Sequence, residues 1–261
     1  MEALVKSTTF AVCGAIVAYL GGCVDHDDSG WAEEDLASVQ EALGTENGIA
    51  TINGLDSENG INTLNGINTL NGINTLNGLA DAIGLMATEG GRKTVQYLVK
   101  CALPAGRSIT KYDESSVLRT YPGLLGVAPE WETGACDTAC QEKLSACMLA
   151  HLNTTGMHVP IFLVGSAEDF PSIGPALSGS FPKQESAFYG NIFISPPVAG
   201  YCEGNDLAGN VIEGRAGSSG TKQYTNLLGT PGCSGSCTTF AGGNGYASCG
   251  GYSHVLTVYI P

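Results

Sequence analysis

Apolar and polar positions follow a fixed rhythm in one stretch of the chain. Gly recurs at Gly48, Gly54, Gly60, Gly66, Gly72, Gly78 and Gly84, each followed by Ile or Leu. Residues 59–64, 65–70 and 71–76 are identical copies of Asn-Gly-Ile-Asn-Thr-Leu. Repetition this regular marks a repeat segment. It is not an α-helix, because advancing six residues rotates a helical side chain by ~240° and scatters the apolar column. It does not alternate with period two, as a half-buried strand would. Within each copy the columns Asn/Asn, Gly/Thr and Ile/Leu give a sub-period of three, which fits polyproline II or 3₁₀ turns. Three arrangements follow: a flexible linker, a short β-solenoid, or an extended or helical segment docked through its Ile/Leu column.

Elsewhere the pattern predicts ordinary elements. Residues 31–43 read as an amphipathic helix with Trp31, Leu36, Val39 and Leu43 near one face. After a boundary at Gly90-Gly91, Val95, Leu98, Val99 and Ala102 predict a short helix ending before Pro104. Residues 108–112 and 117–121 are candidate strands, with Tyr121-Pro122-Gly123 as a turn. The clearest helix is 138–152, where Cys140, Leu144, Cys147, Met148 and His151 form an apolar stripe. Asp137 or Thr138 caps its start and Asn153 suits its stop. His151 on that stripe is expected to be a buried or rim histidine with a structural hydrogen bond. Residues 158–165, 186–195 and 254–260 predict strands, the last of them central because both its faces are apolar. The fold class is α+β: a β-rich, disulfide-stapled domain with one well-defined amphipathic helix, preceded by the hexapeptide-repeat segment, extended or a short β-solenoid.

Charge narrows the partners. The chain has 261 residues and a formal net charge of −14, with no Lys/Arg cluster to offset it, so nucleic acid is excluded as a partner. Only 14% of residues are charged and 37 are Gly, a composition that suits a loop-rich extracellular domain. Near the N-terminus, Lys6 precedes an apolar run over residues 10–20, then Leu20-Gly21-Gly22-Cys23. The run is too short for a lasting transmembrane helix and has the length of a secretory signal. Leu20-Gly21-Gly22-Cys23 resembles the lipobox of bacterial lipoproteins. That resemblance implies cleavage before Cys23, acylation of its thiol and new amino group, and partnership with a membrane. Val24 after the cysteine implies sorting to an outer membrane or the cell surface. The chain then divides into a signal at 1–22, an anchor, acidic tether and helix at 23–46, the repeat at 47–88, and a cysteine-rich globular domain at 89–261. In the tether, Asp25, His26, Asp27 and Asp28 lack the Gly and distal Glu of a calcium loop.

Beyond Cys13 in the signal and Cys23, eight cysteines remain: Cys101, Cys136, Cys140, Cys147, Cys202, Cys233, Cys237 and Cys249. An even number in an oxidising compartment implies four disulfides. Cys140 and Cys147 would lie ~10 Å apart along one helix, beyond disulfide reach, so each pairs elsewhere. Cys101 with Cys147 is the favoured pair, since both sit on predicted apolar helix faces. Zinc is the rival reading, because Cys-x3-Cys occurs at Cys136/Cys140 and at Cys233/Cys237. Zinc knuckles more often keep Cys-x2-Cys, so disulfides are preferred and no metal is expected. The segments Cys101-Ala-Leu-Pro, Ala146-Cys-Met-Leu-Ala-His, Phe188-Tyr-Gly-Asn-Ile-Phe and Tyr201-Cys-Glu-Gly are similar to a group of uncharacterised cysteine-rich lipoproteins of myxobacteria. The similarity implies a location and no mechanism.

No nucleophile elbow, zinc-protease helix, phosphate loop or dinucleotide fingerprint is present in the sequence. Glu168/Asp169 and Glu203/Asp206 are candidate carboxylate pairs for glycoside hydrolysis, with solvated loop acids as the plainer reading. Tyr189, Tyr201, Tyr224, Tyr246, Tyr252 and Tyr259 are candidates for a sugar-stacking surface, with core use as the plainer reading. The expectation is a cell-envelope lipoprotein with a non-catalytic structural or binding role, with no catalytic residue and no cofactor. Its partners would be the membrane through Cys23 and an envelope glycan or a surface protein. The alternative is an envelope hydrolase acting on glycan or peptide.

Overall fold

The structure is a computed structural model that describes residues 44–47, 49–50, 67–153, 159–204, 227–230, 232–240 and 244–261. Residues 35–261 form one compact unit. The signal, Cys23, the tether, the helix expected at 31–43 and the repeat copies before residue 67 lie outside the described residues, apart from strand backbone at 44–47 and 49–50. No helix among the described residues is long and apolar enough to cross a membrane.

Twelve strands are described: β1 (Gly44–Asn47), β2 (Ile49–Ala50), β3 (Ser108–Tyr112), β4 (Leu118–Pro122), β5 (Leu152–Asn153), β6 (Val159–Val164), β7 (Lys183–Asn191), β8 (Val198–Glu203), β9 (Leu227–Thr230), β10 (Cys237–Thr239), β11 (Tyr246–Cys249) and β12 (Leu256–Ile260). The main sheet has six strands in the order β1-β6-β12-β7-β8-β9. Its pairings are antiparallel except for parallel β8–β9. β12 lies between β6 and β7, the central place that its two apolar faces predict. Side chains alternate across the sheet, as the pleat requires. Ile161, Leu163, Phe188, Leu256 and Val258 enter the main core, while Phe162, Val164, Ala187, Tyr189 and Tyr259 serve smaller clusters.

Two α-helices are present among the described residues, α1 (Glu89–Ala102) and α2 (Thr138–Ala150). The amphipathic one is α1, which keeps exposed and half-exposed positions in its first turns before burying Tyr97–Ala102. α2, expected to show one apolar stripe, is enclosed on every side from Leu144 onward, including Ser145 and Ala146. β7 covers the side that the stripe left polar, where Asn191 Nδ2 donates to Gln141 Oε1 at 3.0 Å, and α1 meets the stripe itself through Cys101–Cys147. Asp137 caps α2 by accepting from the Cys140 N–H at 2.9 Å, and the helix stops at Ala150, ahead of Asn153. Gly90-Gly91 is no boundary either. It forms the first turn of α1 behind the cap at Thr88, whose hydroxyl accepts from the Gly91 N–H. A Cβ on Gly91 would stand 2.2 Å from the Leu85 carbonyl oxygen, so close packing explains the glycine there.

Residues 67–79 are neither extended nor a coil of stacked strands. Ile67 and Leu79 bridge as an antiparallel pair, closing the intervening chain into a turn-rich loop. Ile73 and Leu79 are fully buried and Ile67 packs against the same core. The Leu column points the other way, with Leu70 at 78% and Leu76 at 66% exposure. The docking is bonded as well as packed. The Ile73 and Asn74 N–H groups donate to the carbonyls of Trp131 and Glu132 at 2.8 and 3.0 Å. Trp131 Nε1 donates to the Asn71 carbonyl at 3.1 Å. Buried Lys111 donates from Nζ to the carbonyls of Asn74 and Thr75 at 3.2 and 3.0 Å. The Gly column is what lets backbones meet. A Cβ on Gly72 would lie 2.3 Å from Thr133 Cα, and one on Gly78 would lie 2.0 Å from the Gly72 oxygen. The core therefore runs without interruption from Ile73 through Leu85 and Met86 into α1.

Four cysteine pairs lie at bonding distance: Cys101–Cys147, Cys136–Cys140, Cys202–Cys233 and Cys237–Cys249. The first joins α1 to α2, and its separation of 46 residues gives it the largest loop-closure effect, typically ~2–4 kcal/mol. Cys136–Cys140, separated by 4, pins only the entry to α2.

Candidate functional site

A group of titratable side chains gathers where α2, the loop after β6 and the turn before β12 meet. Gly165 follows β6, and Ser166 begins a tight turn in which the Phe170 N–H donates to the Ser166 carbonyl at 2.9 Å. The Ser166 hydroxyl accepts from the Asp169 N–H at 3.0 Å and donates to Asp169 Oδ2 at 2.6 Å. That turn fixes the carboxylate and leaves Oδ1 facing His254, whose Nδ1 lies 3.0 Å away. The approach is at ion-pair distance but is not aligned as a hydrogen bond, so it is a charge contact when the ring is protonated. Both side chains are mostly enclosed, at 16% exposure for His254 and 25% for Asp169.

Glu142, on the first half of α2, adds a second carboxylate on which the charge of His254 acts. Burial raises the Glu142 carboxyl above its ordinary range, against the opposing pull of His254 and the Ser253 backbone N–H. Burial also raises the Tyr252 hydroxyl, and the Glu142 charge pushes it the same way. The imidazole thus sits near two acids, and each acid is attached to a different element.

In a Ser-His-Asp relay the imidazole stands between hydroxyl and carboxylate and takes the serine proton. Here the carboxylate stands between hydroxyl and imidazole. Ser166 is spent on Asp169, so this order orients groups and ties loops together without activating a nucleophile.

The other expected site residues fall as follows. Glu168 is exposed while Asp169 turns to His254, so the two do not work as a pair. Glu203 ends β8 opposite Ser186, and Asp206 lies outside the described residues. Tyr189, Tyr246 and Tyr259 are buried, and Tyr201 and Tyr252 are half-buried. These five therefore serve packing and make no sugar-stacking platform, and Tyr224 lies outside the described residues. His151 is fully buried with Nδ1 2.8 Å from the Cys147 carbonyl oxygen, the structural role expected of it. Cys23 lies outside the described residues.

Glu142 and His254 were not marked in the sequence as a site. They are far apart along the chain, and only the packing of α2 beside β12 unites them. Among the described residues, two groups offer three metal-binding atoms within 4.8 Å of one another: Cys101, Cys147 and His151, and Cys202, Cys237 and Cys249. The cysteines of both are paired as disulfides, which removes the thiolate a metal needs. No family model, no curated protein and no solved structure matches this chain.

Proposed function

We propose that this chain is an exported, lipid-anchored protein of the cell envelope, with a non-catalytic structural or binding role at the cell surface. The observation that carries the reading is the placing of all eight cysteines of the folded unit in four pairs at bonding distance. Such pairs persist in oxidising compartments and are rare in a reducing cytosol. Anchoring rests on the resemblance of Leu20-Gly21-Gly22-Cys23 to a lipobox. The exposed Leu70 and Leu76 on the docked repeat, with Tyr112 and Leu118 on the β3–β4 hairpin, give the unit apolar surface of the kind used for contact with a partner. The hydrolase alternative has less behind it, because the best-formed acid–imidazole group engages its serine through the acid.

The test is fractionation of cells expressing the full chain or Cys23→Ala. The expected result is wild type in the membrane fraction and the variant in the soluble exported fraction. Continued membrane association of Cys23→Ala would overturn the anchor. Binding of the detergent-solubilised protein to glycan arrays and envelope fractions then distinguishes a polymer partner from a protein one.

A further inference from the structure

The two disulfides beside the sheet edge converge on one point. Cys202 on β8 is bonded to Cys233 at 2.02 Å, and Cys237 is bonded to Cys249 across β10–β11 at 2.01 Å. Between the two bridges, Cys202 Sγ lies only 3.3 Å from Cys237 Sγ. The sulfurs of Cys202, Cys237 and Cys249 all fall within 4.8 Å of one another, and that of Cys233 is attached directly to one of them. Four sulfurs around a tetrahedral zinc, at ~2.3 Å each, stand about 3.8 Å apart. The 202–237 contact is close to that spacing.

The local chain suits a metal as well as it suits two bridges. Cys233 opens the 3₁₀ turn Cys233–Gly235, and Cys237 begins β10 just after it. Cys237 and Cys249 are direct partners in the β10–β11 register. Gly250 and Gly251, both at positive φ, turn the chain sharply after Cys249. Cys202, Cys233 and Cys249 are buried, which suits ligands shielded from water, while half-buried Cys237 leaves a way in for a reductant and an ion.

We propose that Cys202, Cys233, Cys237 and Cys249 form a four-cysteine zinc site in the reduced protein, an alternative to the two disulfides of the oxidised form. A dithiol supplies two electrons and two protons to each bridge and leaves as its own disulfide. A phosphine supplies the two electrons while water supplies the two protons and the oxygen of the phosphine oxide, and either route gives four thiols. Zinc then displaces the four thiol protons to solvent and forms four Zn–S bonds. The proposal goes beyond the envelope role and does not depend on the anchor at Cys23.

Cobalt(II) is the probe, because tetrahedral thiolate cobalt absorbs strongly in the visible. The full chain in detergent is titrated as isolated and after anaerobic phosphine reduction. The oxidised protein should give no such bands. The reduced protein should take one equivalent, and zinc should displace it. Cys237→Ser should weaken the affinity by at least about tenfold, on the scale of known ligand-shell losses. Cys101→Ala with Cys147→Ala should leave the affinity unchanged, which separates this cluster from the one at His151. Alkylation of the reduced wild type with and without zinc gives a readout that needs no variant: zinc should slow the labelling of Cys202, Cys233, Cys237 and Cys249 and leave that of Cys101 and Cys147, both fully buried, unchanged. Absence of tetrahedral bands in the reduced wild type, unchanged affinity in Cys237→Ser, or protection of the other cysteines instead would overturn the proposal.

Discussion

Asp113 closes the turn between β3 and β4 by accepting from three donors. Its Oδ1 takes the N–H groups of Ser115 and Val117, each at 2.9 Å, and its Oδ2 takes Arg119 Nε at 3.0 Å. The Val117 N–H, helped by Arg119 and Ser115, holds this carboxyl below its ordinary range against the opposing effect of burial. A carboxyl depressed in the folded state stabilises fully above its unfolded pKa and loses that contribution as pH falls through the folded value. The melting-temperature gap between wild type and Asp113→Asn should therefore be full at neutral pH and shrink as pH drops below about 4. A gap that stays constant down to strong acid would contradict this. Lys111, one residue inside the hairpin, illustrates what sequence hides. Desolvation pushes its ammonium pKa down while Asp81 pulls it up, and its carbonyl partners belong to the repeat. No local pattern marks a strand lysine as buried when the groups that satisfy it arrive from another segment.

The repeat is the element where sequence and structure inform each other most. Its six-residue period was legible, and the structure gives that period a meaning in the Gly and Ile columns. The sub-period of three read as turns, and turns close at 68–71, 72–75 and 75–78, but it left Ile and Leu equivalent, and only the packed structure shows which column faces in. The same limit applies to the helices. Asp137 and the apolar spacing placed α2 well, but its enclosure depends on β7, and Gly90-Gly91 read as a break because its close contact with Leu85 is tertiary. Ile73→Ala should cost about 2–5 kcal/mol, the range for emptying a buried aliphatic site. Leu76→Ala, one half-period on, should change stability by no more than about 0.5 kcal/mol. Denaturant unfolding of the two variants checks this, and equal costs would contradict the division into buried and exposed columns.

Across the whole molecule, cysteine parity predicted four bridges, and the apolar helix faces singled out Cys101 with Cys147. The other three pairs were not legible. Cys136–Cys140 and Cys237–Cys249 are local closures that parity alone does not choose. Cys202–Cys233 depends on the main sheet, whose neighbours are distant in sequence, with β12 inserted between β6 and β7 and β9 returning parallel to β8. The imidazole–carboxylate cluster was hidden for the same reason, since Glu142, Asp169 and His254 become neighbours only when α2 lies against that sheet. A bridged unit that carries the end of its own repeat as part of its core is suited to oxidising surroundings, where the bridges persist. The most direct measurement is peptide mass mapping of the full chain, isolated with free thiols blocked and cleaved without reduction. The account predicts the linked pairs Cys101–Cys147, Cys136–Cys140, Cys202–Cys233 and Cys237–Cys249 and no free thiol among these eight. Several free thiols, or bridges joining different partners, would contradict it.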